Sequence, residues 1–131
     1  MGFTDDLQDK TKSIALDLEV PGDSLLIIFG GIAGKLGLPP FEFGRMLGGF
    51  ECKKIFVRDL SQSWYCNGLP GIADSFDGMV AYLAERAKES GAKNVVTIGN
   101  SAGGYAALLA GQLLGANRVR AFSPQTFLSQ R

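Results

Sequence analysis

The residues with the clearest chemical meaning stand in one run, Gly99-Asn100-Ser101-Ala102-Gly103-Gly104-Tyr105. A serine with glycine two places before and two places after it has the spacing of a nucleophile at a sharp strand-to-helix turn. That turn crowds the two flanking positions together, so Gly99 and Gly103 leave out side chains that would collide. The chemistry is acyl transfer. A serine hydroxyl attacks a carbonyl carbon, and two N–H groups aimed at one point hold the oxyanion that forms. Ala102 N–H, directly after the serine, is expected to be one donor. The second is expected from the loop after a neighbouring strand, where Gly30-Gly31-Ile32 offers Gly31 or Ile32 N–H.

The base is the missing part. The chain contains no histidine, so no Ser-His-Asp triad can be assembled from it alone. An unassisted serine hydroxyl is a poor nucleophile near neutral pH. Weak activity supported by the oxyanion donors is therefore the expected ceiling. Asp59 follows an apolar run and could serve as an acid, but more often a residue there caps or ion-pairs a strand end. Cys66 sits on an aromatic loop with no activating partner. Two phosphate-loop patterns fail at named positions. Phe29 stands where a Walker loop wants glycine, and Leu36 where it wants Ser or Thr. In the dinucleotide pattern, Ser101 stands where the second glycine belongs. No cofactor and no metal is expected.

The elements that must position these residues follow from hydrophobic pattern. Ser24 to Phe29 forms the first strand, its run Leu25-Leu26-Ile27-Ile28-Phe29 apolar on both faces, as a central strand would be. Ile55-Phe56-Val57 centres a second strand over 54–58, Asn94 to Ile98 forms a third, and Arg118 to Phe122 a fourth. Phe76, Met79, Val80, Leu83 and Ala87 make one helical stripe over 74–90. Asp74 or Ser75 can cap its start and Gly91 its end. A second helix runs from Ala102 to Leu114, closed by Gly115, and a short helical piece is expected near 41–47. Residues 4–20 fit both a helical and an alternating pattern; a short helix after Thr4 and an extended piece before Pro21 is the reading adopted. The loop from Leu60 to Ile72 is long for a compact domain. Its Trp64 and Tyr65 read as a hydrophobic plug or as a wall facing substrate.

Strands alternating with helices imply a parallel sheet with right-handed crossovers. The expected class is α/β, in three layers, with a mostly parallel sheet and helices on both faces. The site of such a sheet lies at the C-terminal ends of its strands, where Gly30-Gly31, Asp59, Ser101 and Ser123 should gather.

Composition narrows the partners. At 46% hydrophobic and 20% charged, the 131 residues read as one globular domain. Thirteen basic residues balance 13 acidic ones with no basic stripe, so nucleic acid is not an expected partner. No apolar run reaches the roughly 18 residues of a membrane helix, so no membrane partner is expected. Two cysteines make no disulfide framework, and the acidic, polar start does not resemble a signal peptide. A cytoplasmic location is expected. The strand Arg118-Phe122 should be a sheet edge, open to a second copy or a partner chain.

The Gly-Asn-Ser-Ala-Gly turn, the Gly30-Gly31 loop and the alternating layout together resemble the α/β-hydrolase superfamily. The likeness spans roughly Ser24 to Ser123. It implies the third to sixth strands of that fold, in the order 4-3-5-6, with Ser101 as nucleophile and Ala102 and Gly31 or Ile32 as oxyanion donors. Arg58-Asp59-Leu60, Trp64-Tyr65, Gly68-Leu69 and Ala121-Phe122-Ser123-Pro124-Gln125 add a likeness to a bacterial branch of it. The family's acid and histidine follow later strands, so residues 1–131 look like a single truncated domain, its N-terminal half. The function implied is that of a serine esterase, thioesterase or acyl hydrolase acting on a small ester or acyl substrate, its triad incomplete in this chain. The missing histidine keeps a second expectation open, a non-catalytic hydrolase-fold module for binding or interaction.

Overall fold

A computed structural model of the chain describes residues 13–30, 52–58, 65, 68–69, 71–100 and 102–122. Five strands form one sheet: β1 (Ile14–Asp17), β2 (Ser24–Phe29), β3 (Lys53–Val57), β4 (Asn94–Asn100) and β5 (Arg118–Phe122). Two helices are described, α1 (Phe76–Ser90) and α2 (Ala102–Leu114). The strand order is β1-β3-β2-β4-β5. β3, β2, β4 and β5 run parallel, and β1 pairs antiparallel with β3.

This architecture corrects the expected one. The sheet is mixed, not the mostly parallel three-layer sheet in hydrolase-like order 4-3-5-6. The physical cause is the connection from Leu18 to Asp23. A parallel neighbour needs a crossover of about a dozen residues or more, and this link is too short to make one. The chain therefore reverses, and β1 enters antiparallel, with Ile14 opposite Val57 and Asp17 opposite Lys54. Lys53 Nζ, on β3, donates to Val20 O and ties the link down. β1 lies within the extended piece that the sequence places before Pro21.

Helices on both faces are also corrected. Side chains alternate across a strand. Leu25, Ile27 and Phe29 of β2, with Ile55 and Val57 of β3, share one buried cluster with Met79 and Leu83 of α1 and Ala106, Ala107 and Ala110 of α2. Both described helices thus cover the same face. The alternate residues Ala15, Ile28 and Phe56 form a second buried cluster on the opposite face, flanked by Leu26 and Ile98.

The helices follow local rules. Ser75 caps α1: its backbone is extended, and its Oγ accepts from Gly78 N–H at 3.0 Å. Gly91 closes the helix, its N–H on Lys88 O. α2 lies unusually close to the sheet. A Cβ on Gly111 would stand 2.6 Å from Val119 Cγ2 and 2.7 Å from Thr97 Oγ1. Thr97 Oγ1 donates to Ala107 O at 2.9 Å in the buried interface. The helix is therefore held to β4 by one hydrogen bond and to β4 and β5 by a contact that only glycine permits. No described helix is long and apolar enough to cross a membrane.

Candidate functional site

The parallel strands end together. Phe29 pairs with Val57 on one side and Gly99 on the other, and Asn100 pairs with Phe122. This aligned edge is where the sequence places its chemistry. β4 ends at Asn100 and α2 begins at Ala102, so Ser101 alone separates strand from helix. Ser101, Gly31 and Ile32 themselves lie outside the described residues, as do Asp59, Trp64, Cys66, Ser123 and the expected helical piece at 41–47. Ala102, the remaining expected donor, is the first residue of α2. The first N–H groups of a helix have no partner within it and carry about half a positive charge together. The first turn of α2 contains no acidic residue to offset that charge.

Tyr65 organises the edge on the other side. Its side chain is fully buried, and its ring meets Phe29 edge-on, with centroids 5.6 Å apart. Its hydroxyl stands 2.7 Å from Gly30 O and 3.2 Å from Val57 O, so two carbonyls share one proton, with the shorter contact to Gly30. A buried tyrosine needs such a partner for its hydroxyl. The backbone of Tyr65 is left-handed, φ 65°, which costs a bulky residue about 1–3 kcal/mol. Of the two readings of the aromatic loop, the plug is the one Tyr65 fulfils.

The loop is then fastened to α1. Gly68 N–H donates to Tyr65 O, and Leu69 exchanges backbone hydrogen bonds with Ala73, two residues before the Ser75 cap. Leu69 is fully buried in the same core as Tyr65. Tyr65 and Leu69 are thus packed into the core, and the backbone pairing of Leu69 with Ala73 ties them to the start of α1.

Three buried charges were not legible in sequence, Lys53 of β3 being the one that donates to Val20 O. Arg58, at the end of β3, is only 2% exposed, and its N–H donates to Ser13 O. Lys54 is 1% exposed; its Nζ donates to Cys52 O at 3.0 Å and lies 3.7 Å from Asp17 Oδ2. Lys54 sits toward the start of β3, away from the edge that carries Gly30, and binds the antiparallel strand. Arg58 lies on that edge. Their types read as exposed, and the fold buries them in a strand paired on both sides. The importance of Tyr65 was equally hidden, because no local pattern announces a hydroxyl reaching back to Gly30.

No protein-family model matches the chain, and no curated protein matches it in a sequence search.

Proposed function

We propose that the chain performs serine-dependent acyl transfer on a small ester, thioester or related acyl substrate, with Ser101 as nucleophile. One observation carries the reading: the structure ends β4 at Asn100 and starts α2 at Ala102, which leaves the serine as the single junction residue. The resemblance to the α/β-hydrolase superfamily in the Gly99 to Gly104 run supports it. Ala102 N–H and the N–H of Gly31 or Ile32 stabilise the oxyanion. Ser101 Oγ bonds to the acyl carbon as the alcohol or thiol leaves. Water then releases the acid and restores the hydroxyl. With no histidine in the chain, the serine proton passes to solvent or to a base supplied by another chain. Turnover by this chain alone is therefore slow.

The test is labelling by a fluorophosphonate, read by mass spectrometry on the Ser101 peptide, beside hydrolysis of an aryl ester. The expected result is an adduct on Ser101 and a rate that Ser101→Ala abolishes. Equal ester rates in wild type and Ser101→Ala, with no adduct, would replace this reading with the binding module.

The same reading extends to partners and place. Among the described residues β5 pairs only with β4, so its outer edge is the surface we assign to self-association or to the chain that supplies a base. A sequence with two cysteines and no disulfide framework, together with its balanced charge, supports a cytoplasmic setting, with neither nucleic acid nor membrane as partner.

A further inference from the structure

Among the described residues each outer strand of the sheet has a single partner: β1 pairs only with β3, and β5 only with β4. An unpaired strand edge offers its N–H and C=O groups to another chain. The two edges carry charge of opposite sign. Residues paired across a sheet point to the same face. One such row runs Asp17, Lys54, Leu26, Val96, Arg118, and the next runs Ala15, Phe56, Ile28, Ile98, Arg120. Asp17 at one side of the sheet and Arg118 and Arg120 at the other thus share the face away from both described helices. Leu16, Leu18 and Val119 pack against the helix-side core. With Leu18 on that side, strand alternation puts Glu19 on the same face as Asp17.

Asp17-Leu18-Glu19 therefore reads acid, apolar, acid, and Arg118-Val119-Arg120 reads base, apolar, base, with matching faces. We propose that β1 of a second copy, with the residues that follow it, adds antiparallel to the outer edge of β5. Glu19 then stands opposite Arg118, Leu18 opposite Val119 and Asp17 opposite Arg120. The inference rests on the assignment of that edge to self-association, and it names the occupant. The strand directions fit. β1 runs against β3, and β3, β2, β4 and β5 run parallel, so a second copy in the same orientation brings its β1 antiparallel to β5. Glu19, Arg118 and Arg120 are exposed. The Asp17 side chain is 27% exposed and stands 3.7 Å from Lys54 Nζ, a loose pair that leaves room for a second cation.

The same charges exclude pairing of like with like. β5 against β5 brings the arginines of both copies onto one face, and β1 against β1 does the same with the acids. Like charges placed opposite one another are destabilising. The contact joins two different surfaces, so it does not close as a two-fold dimer, and copies add head to tail.

A charge swap tests this by sedimentation velocity over a concentration series at low and high salt. Wild type is expected to grow past the dimer as concentration rises, and less so at high salt. Arg118→Glu and Glu19→Lys should each lower the association constant about 10-fold. The two substitutions in one chain should restore it. A mixture of the two single variants should restore it as well, which a pair formed within one chain does not explain. Far-UV spectra and melts confirm that each variant is folded.

Association that Arg118→Glu weakens and Glu19→Lys leaves unchanged would overturn the head-to-tail contact while keeping β5 as the associating edge. Growth that stops at a dimer, or a swap that restores nothing, would overturn it in the same way. Association indifferent to both substitutions, or a wild type monomeric at every concentration, removes the β5 edge reading and this inference with it. Should a charge reversal melt too low, Arg118→Gln and Glu19→Gln replace the pair. Each is then expected to weaken association about 3-fold, and no effect of Glu19→Gln would refute the contact.

Discussion

At Gly68 one hydrogen atom decides whether the loop can close. The residue lies at φ +72°, and an added Cβ would stand 2.5 Å from Ala73 O and 2.6 Å from Ser75 N. Both obstacles are backbone, so neither can swing aside. Gly68→Ala is expected to cost about 2–3 kcal/mol, from the left-handed φ and the overpacking together, and a thermal melt should show it as a drop of roughly 10 °C. A drop of only a degree or two would mean that the loop relaxes elsewhere. The same clash would disturb Tyr65, whose carbonyl accepts from Gly68 N–H. Residues at this scale divide by whether their demand is local. Ser75 was legible as a cap, because capping needs only the next turn of the chain. Tyr65, Lys54 and Arg58 were not, because what satisfies a buried polar group lies across the sheet.

Among the elements, α2 carries the tightest fit. Its approach to β4 and β5 leaves no room for a methyl group on Gly111, and Thr97 anchors it through Ala107 O. Alanine is the better helix former by about 1 kcal/mol, yet overpacking costs about 1–3 kcal/mol. Gly111→Ala is expected to be destabilising on balance, read as an earlier midpoint in urea. Thr97→Val removes the hydrogen bond and should cost about 1 kcal/mol. Because Thr97 Oγ1 is one of the atoms a Gly111 Cβ would strike, the two substitutions should be non-additive in a double-mutant cycle. Additive losses would show that the helix pivots away instead of pressing on the threonine. The bounds of β2, β5 and α2 agree with those read from the sequence, since apolar runs and helix-closing glycines specify them locally. β4 runs two residues further than expected, to Asn100, which brings the strand up to the serine itself.

For the molecule as a whole, the proposal that the outer edge of β5, which pairs only with β4 among the described residues, takes a second copy predicts association. Light scattering at increasing concentration should show a mass above that of the monomer, and a strictly monomeric mass at high concentration would remove self-association from the reading. Much of this protein was decided by the sequence itself: where most strands and helices fall, that a serine stands between a strand and a helix, and that these 131 residues hold no histidine. Those features depend on side-chain period, on caps and on covalent order, all of which act over a few residues. Only the tertiary structure decided that β1 runs antiparallel beside β3, that both described helices share one face, and that Tyr65 reaches Gly30. The reason is physical: pairing partners, register and burial arise between segments distant in sequence. Segment 14–17 shows the limit. Its residues suited either a helix or a strand, and the short link to β2 and the free edge of β3 chose between them.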